Sequence, residues 1–156
     1  MKKFRVVFIG VLLLITIVVL IGFIPLLSII SREVAKMYPT IAYMRIPILV
    51  LAVLVVLTTI SALIFGFLSL LEYGRGRVFN FKTVKYLQGL SLSFLAGMFF
   101  QLLIIIYTEI NIGGSITNIY VGFGVLVFLL GNQIFKLLSE VIREGTEIKT
   151  DNELTI

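Results

Sequence analysis

Residues 46–71 read IPILVLAVLVVLTTISALIFGFLSLL and contain no charged residue. The hydrocarbon core of a bilayer is about 30 Å thick, and a helix rising about 1.5 Å per residue needs roughly 20 apolar residues to cross it. This stretch is long enough, so it predicts a membrane-spanning helix.

Charge-free stretches of similar length occur on both sides of this segment. Trimmed to helices, the four predicted spans lie near residues 6–30, 47–71, 84–107 and 119–139. The remaining tails and loops are too short for a second folded domain. We therefore predict one domain over residues 1–156, an all-α integral membrane four-helix bundle with a cytoplasmic tail at residues 140–156.

Most positive charges lie in the two terminal segments and in the loop between the second and third predicted spans. Ten of the thirteen Lys and Arg residues lie before the first span, between the second and third spans, or near the end of the fourth span and beyond it. The other two loops hold Arg32, Lys36 and Arg45. Because Lys and Arg favour the cytoplasmic side, we expect both termini and the central loop to be cytoplasmic in a multi-pass protein of the cell membrane.

The composition argues against most catalytic chemistry. The chain has no His, Cys or Trp, which excludes histidine acid-base catalysis, cysteine nucleophiles, disulfides and imidazole or thiolate metal sites. The charge-free stretches hold no carboxylate for coupled proton transport, and Glu72 and Glu140, at helix ends, are expected to be solvated. We expect no catalytic residue, cofactor or metal site, and hence no enzyme.

Uncharged polar residues occur inside the predicted spans. Five of them fall roughly 18 to 21 Å inward from the outer helix ends at about 1.5 Å per residue. They are Thr16, Thr59, Ser61, Ser93 and Asn132. Since an unpaired amide in lipid is costly, we predict an interhelical hydrogen-bonded layer centred on Asn132, with Gln101 pairing separately. The alternative is a path for a polar ligand or an ion.

The central loop mixes basic and aromatic residues. Its candidate contact residues are Arg75, Arg77, Lys82 and Lys85, which could bind anionic lipid headgroups or simply follow the positive-inside rule. Four charges are too few for us to predict direct nucleic-acid binding. Asn80 is well placed to cap the third helix.

Two further features concern helix ends and packing. We predict that the fourth helix stops at Gly145, followed by a short tail that is either disordered or docks on a cytoplasmic partner. The small residues Gly89, Ser93 and Gly97 are spaced four apart on the third span, as Ala62 and Gly66 are on the second. Such strips allow close helix packing and are a weak sign of a homo-oligomer.

Three runs of the sequence carry a family resemblance. They are REVAKMYPTIAYMRIPIL (32–49), GRVFNFKTVK (76–85) and DNELTI (151–156). With them the chain resembles the bacterial membrane family labelled domain of unknown function 2975, although Asn80 stands where a Ser is usual and Asp-Asn-Glu stands where Glu-Asn-Asp is common. The resemblance implies a four-helix membrane protein without an established activity, often encoded beside a small helix-turn-helix regulator.

Two functions from different classes remain open at this stage. The first is a non-enzymatic regulatory or interaction protein that holds a helix-turn-helix regulator at the membrane through the central loop and the C-terminal tail. The second is a passive transporter or channel subunit, acting as an oligomer around the polar layer. An enzyme acting on lipid would need a cluster of reactive side chains that the sequence does not offer.

Overall fold

The computed structural model describes the backbone of residues 2–154 and the side chains of residues 3–152. Its helices are α1 (Lys2–Met37), α2 (Arg45–Gly74), α3 (Phe81–Ile112) and α4 (Thr117–Leu154), with a 3-10 turn at Pro39–Met44 between the first two. All four are long and apolar enough to cross a membrane, and the described part of the chain contains no strand. The predicted all-α four-helix membrane fold is confirmed.

The start of α3 follows the sequence prediction. Asn80 has extended backbone angles (φ −153°, ψ 154°), and its side-chain oxygen accepts hydrogen bonds from the backbone N–H groups of Lys82 at 2.7 Å and Thr83 at 2.9 Å. Two of the N–H groups that a helix start leaves without partners are satisfied in this way. The predicted N-cap is therefore confirmed.

The predicted end of α4 is wrong. The helix passes through Gly145 and continues to Leu154, while the last two residues of the predicted tail, Thr155 and Ile156, lie outside the described residues. A Cβ at Gly145 would lie 2.6 Å from the ring of Phe79. The glycine therefore serves close packing on the α2–α3 connection and does not end the helix.

Helix α3 is the centre of the arrangement. It packs against both α2 and α4, whereas α1 packs only against α2 and the 3-10 turn. Within residues 2–154, the backbones of α1 and α2 make no close approach to α4, and α1 makes none to α3. The helices thus follow one another in chain order, and α1 occupies an edge.

Small residues allow the close approach of α2, α3 and α4. A Cβ at Gly97 would lie 2.8 Å from Thr58 Oγ1 on α2 and still closer to the ring of Phe128 on α4. A Cβ at Gly89 would lie 2.8 Å from the ring of Phe65. The strip on α3 that could have indicated an oligomer is therefore used for packing within the chain.

Substitution of Gly97 by alanine tests this packing. We expect Gly97→Ala to lower the free energy of unfolding by about 1 to 3 kcal/mol, since two side chains must move to admit the methyl group. The measurement is unfolding of the detergent-solubilised protein by increasing sodium dodecyl sulfate. Gly122→Ala is the control, because a Cβ there meets nothing within 4 Å. Equal stability of the two variants would contradict the packing described.

Candidate functional site

Three segments of the chain meet at one end of the bundle. Val6 of α1 lies against Gly74, where an added Cβ would be 3.0 Å from Val6 Cγ1, and Phe79 of the α2–α3 connection packs on Gly145 of α4. We call this region the basic end and define it by residues 3–6, 72–85 and 136–152. It is the end to which the sequence assigns most of the positive charge.

Glu72 is the buried charge of the basic end, with only 4% of its surface exposed. Its carboxylate forms ion pairs with Arg75 Nη1 at 2.9 Å and Arg77 Nε at 3.3 Å, and accepts a hydrogen bond from Asn80 Nδ2 at 3.4 Å. The prediction of a solvated Glu72 is therefore wrong. The connection folds back over the carboxylate and supplies it with partners in place of water, as a buried charge requires.

The turn that allows this folding back depends on Gly76. Its φ of 76° lies in the left-handed region that glycine adopts without strain. After the turn, the carbonyl oxygen of Arg77 accepts hydrogen bonds from Asn80 Nδ2 and, at 3.3 Å, from Thr83 Oγ1. The connection is thus held by its own side chains as well as by Glu72.

The four candidate contact residues divide into two pairs. Arg75 and Arg77 are bound to Glu72, although more than half of each side chain stays exposed. Lys82 and Lys85 are exposed on the first turns of α3, and the described side chains offer them no ion pair. Two of the four predicted positive charges therefore share one carboxylate within the chain, and the other two face outward.

The second part of the basic end is the extension, by which we mean residues 140–152 of α4. Ile142 is buried in a cluster with Val84 and Leu87 of α3, and Thr146 is buried one turn further on. Val141 and Ile148, which lie about 100° to 120° around the helix axis from Ile142, are 52% and 62% exposed. At about 1.5 Å per residue, the extension carries Ile148 about 13 Å beyond the predicted end of the fourth span.

Three of the five predicted polar residues make hydrogen bonds between helices, one contact joining α2 to α3 and a separate one joining α4 to α3. Ser61 Oγ of α2 lies 3.0 Å from Ser93 Oγ of α3. Asn132 of α4 is buried, and its Nδ2 donates to Ser91 Oγ at 2.8 Å and to Ser91 O at 2.9 Å. Ser91 Oγ in turn donates a hydrogen bond to the backbone carbonyl oxygen of Asn132 at 3.1 Å. Polar side chains therefore join α3 to both of its neighbours.

The remaining two predicted residues take no part in these contacts. Thr16 is exposed and donates to Leu12 O within α1 at 2.8 Å, and Thr59 donates to Val55 O within α2 at 2.9 Å. The five residues consequently do not form one layer, because α1 does not reach α3 or α4. Sequence reasoning missed Ser91. Its signal was the spacing of two residues from Ser93, which puts the two hydroxyls on opposite faces of α3.

Gln101 is buried as well, but without the partner expected for it. Its Oε1 accepts no conventional hydrogen bond among the described residues. A Cβ at Gly124 would lie 2.6 Å from this oxygen, so one Cα hydrogen of the glycine points toward it. A weak C–H···O contact is the interaction available to the amide oxygen there.

The exposed groups of the basic end are of several kinds. Among the described residues no three His, Cys, Asp or Glu side chains are grouped so that they could hold a metal ion. What the basic end presents is outward positive charge on the first turns of α3, exposed apolar and acidic side chains on the extension, and a connection fixed by hydrogen bonds. These are the components of a docking surface.

A double-mutant cycle measures the contact between α3 and α4. We expect Ser91→Ala and Asn132→Leu to be coupled by about 0.6 to 2 kcal/mol in the free energy of unfolding, the range of interhelical hydrogen bonds in membranes. The cycle of Thr16→Val with Asn132→Leu is the control. Thr16 bonds only within its own helix, so its coupling should be near zero. Additive losses in both cycles would remove the polar contact as a source of stability.

The comparisons with known proteins agree with the resemblance noted in the sequence. A family model described as "Protein of unknown function (DUF2975)" matches residues 29–156. The matched region begins near the end of α1 and includes α2, α3 and α4. Neither the curated proteins nor the solved structures yielded a match. With most of its length matched, the chain belongs to the DUF2975 family of proteins of unknown function.

Proposed function

We propose that this membrane protein is a non-enzymatic regulatory or interaction protein of the cell membrane, whose basic end binds a small cytoplasmic helix-turn-helix regulator. The observation that carries the proposal is the extension of α4. It continues as a helix past the predicted span and is fixed against the start of α3 by Ile142. Helix α4 is thus longer than a bilayer requires, and we infer that the surplus projects beyond it.

The chemistry of the surface supports a protein partner. Val141 and Ile148 lie seven residues apart, which puts them on the same face of the extension, and both are exposed. An apolar stripe on a helix is a common element of protein recognition, with charged residues at its rim giving orientation. Lys82 and Lys85 supply such charges on the neighbouring helix.

A transport function, as a passive channel or carrier subunit, receives less support. Ser61, Ser93, Ser91 and Asn132 satisfy one another between helices, so these polar groups are engaged in holding the helices together. The contacts lie on two different faces of α3: Ser91 and Asn132 border a cavity of about 410 Å³, which Ser61 and Ser93 do not line. Structural hydrogen bonding accounts for them without a transported solute.

Site-specific labelling tests the orientation on which the proposal depends. The chain has no cysteine, so each introduced cysteine is unique. We expect a membrane-impermeant maleimide added to intact cells to label Ile116→Cys, in the α3–α4 connection, but not Lys82→Cys. Both should be labelled after the cells are opened, which controls for reactivity. The reverse pattern in intact cells would place the basic end outside and exclude a cytoplasmic partner.

Binding measurements test the partner itself. The full chain, reconstituted in nanodiscs, is titrated with a small helix-turn-helix protein of the kind that the family resemblance implies. We expect Ile148→Asp to weaken binding about tenfold, since it puts a charge on the apolar stripe, and truncation after Arg143 to abolish it. Ile116→Asp, at an exposed position of the opposite end, is the matched control. Unchanged binding by the truncated chain would remove the extension from the proposal.

A further inference from the structure

The end of the bundle opposite the basic end contains the 3-10 turn and the α3–α4 connection. Arg45, the first residue of α2, is half-buried there. Its Nε lies 3.4 Å from Ser31 Oγ, a long hydrogen bond, and no carboxylate among the described residues forms an ion pair with it. A guanidinium at the edge of a membrane is thus left with most of its hydrogen-bonding capacity unused.

The neighbouring cations differ from Arg45. Lys36 Nζ forms an ion pair with Glu33 Oε1 at 2.7 Å. Arg32 is exposed on α1 and does not line the apolar cavity that lies beside Arg45. Of the three basic residues at this end, Arg45 is the one that combines partial burial with a position on a cavity wall. Arg45 is therefore the basic residue of this end that borders the cavity.

The cavity beside Arg45 has a volume of about 250 Å³ and almost entirely apolar walls from α1, the 3-10 turn, α2 and the end of α3. A second cavity of about 350 Å³ lies between α1 and α2 on one side and α3 and α4 on the other. The two cavities share Leu27 and Ala52, so they adjoin. At about 30 Å³ per water-sized group such as a methylene, the two cavities have room for roughly eight and twelve methylene groups.

We propose that the adjoining cavities bind the two acyl chains of one anionic phospholipid, with its phosphate on Arg45. The cavity walls are apolar, as acyl chains are, and there are two adjoining cavities for the two acyl chains of the lipid. Arginine binds phosphate through parallel N–H···O bonds, so the lipid would supply the counter-charge that the described residues do not. The site is independent of the basic end and of the partner proposed for it.

Zwitterionic lipid could fill the same apolar walls, so the test compares headgroups at constant chain length. The full chain in detergent is mixed with equal amounts of phosphatidylglycerol and phosphatidylcholine carrying identical chains, and retained lipid is counted by native mass spectrometry. We expect one phosphatidylglycerol to be retained with a roughly two- to fivefold preference, the size of a partly exposed ion pair. Equal retention of the two lipids would overturn the proposal.

Variants at Arg45 assign the preference to its charge. Arg45→Gln should abolish the preference, and Arg45→Lys should keep part of it, since a lysine retains the charge without the planar fork. Arg32→Gln is the matched control at the same end, and its preference should equal that of the unaltered protein. If Arg45→Gln and Arg32→Gln behave alike, the headgroup does not lie on Arg45 and the proposal fails.

A third variant tests the chain site independently of charge. Ala52→Leu adds bulk at the wall that the two cavities share and should lower retention of both lipids at least twofold. Val50→Leu, on the exposed part of the same helix, should not. Thermal unfolding of both variants confirms that they are folded. Full retention by a folded Ala52→Leu variant would show that the chains lie elsewhere.

Discussion

The structure depends on the absence of water from the membrane. Lipid is as apolar as a leucine side chain, so no hydrophobic effect drives one span against another, and a polar group facing lipid finds no partner. The spans accordingly turn polar groups inward: Ser91 and Asn132 bond to each other, and Ser93 bonds to Ser61, while large apolar side chains face outward. Close packing at small residues such as Gly97 supplies the dispersion contacts that complete the interfaces.

The position of α3 follows from the same constraint. Its two serines lie on opposite faces, so it bonds to α2 and α4 at once, whereas the polar Thr16 of α1 is satisfied within its own helix. The polar contact of α1 with α2 is a long one, between Ser31 and Arg45, so surface fit does most to hold α1 in the bundle. That accounts for the edge position of α1, and the region matched by the family model leaves out most of that helix.

The sequence predicted what depends on length, polarity and local geometry. It predicted four long apolar helices and the cap at Asn80, because hydrophobic length and capping chemistry are local properties. It failed where partners come from elsewhere in the chain. Counting residues gives the depth of a polar group in the membrane but not the helix face on which it lies, so Ser91 was missed and the single layer did not form. Glu72 was assigned to solvent because nothing local shows that the turn at Gly76 returns Arg77 to it.

The extension and the span of α4 are joined to α3 by different contacts, and this difference bears on how the basic end works. Ile142, beyond the predicted fourth span, joins Val84 and Leu87, at the start of the predicted third span, in a buried apolar cluster. The extension is therefore held to the start of α3 by apolar contact, while the spans of α3 and α4 are held by the bonds of Ser91 and Asn132. A partner bound to the extension would thus act on α3, the helix against which α2 and α4 both pack, whereas α1 lies one helix removed from that contact.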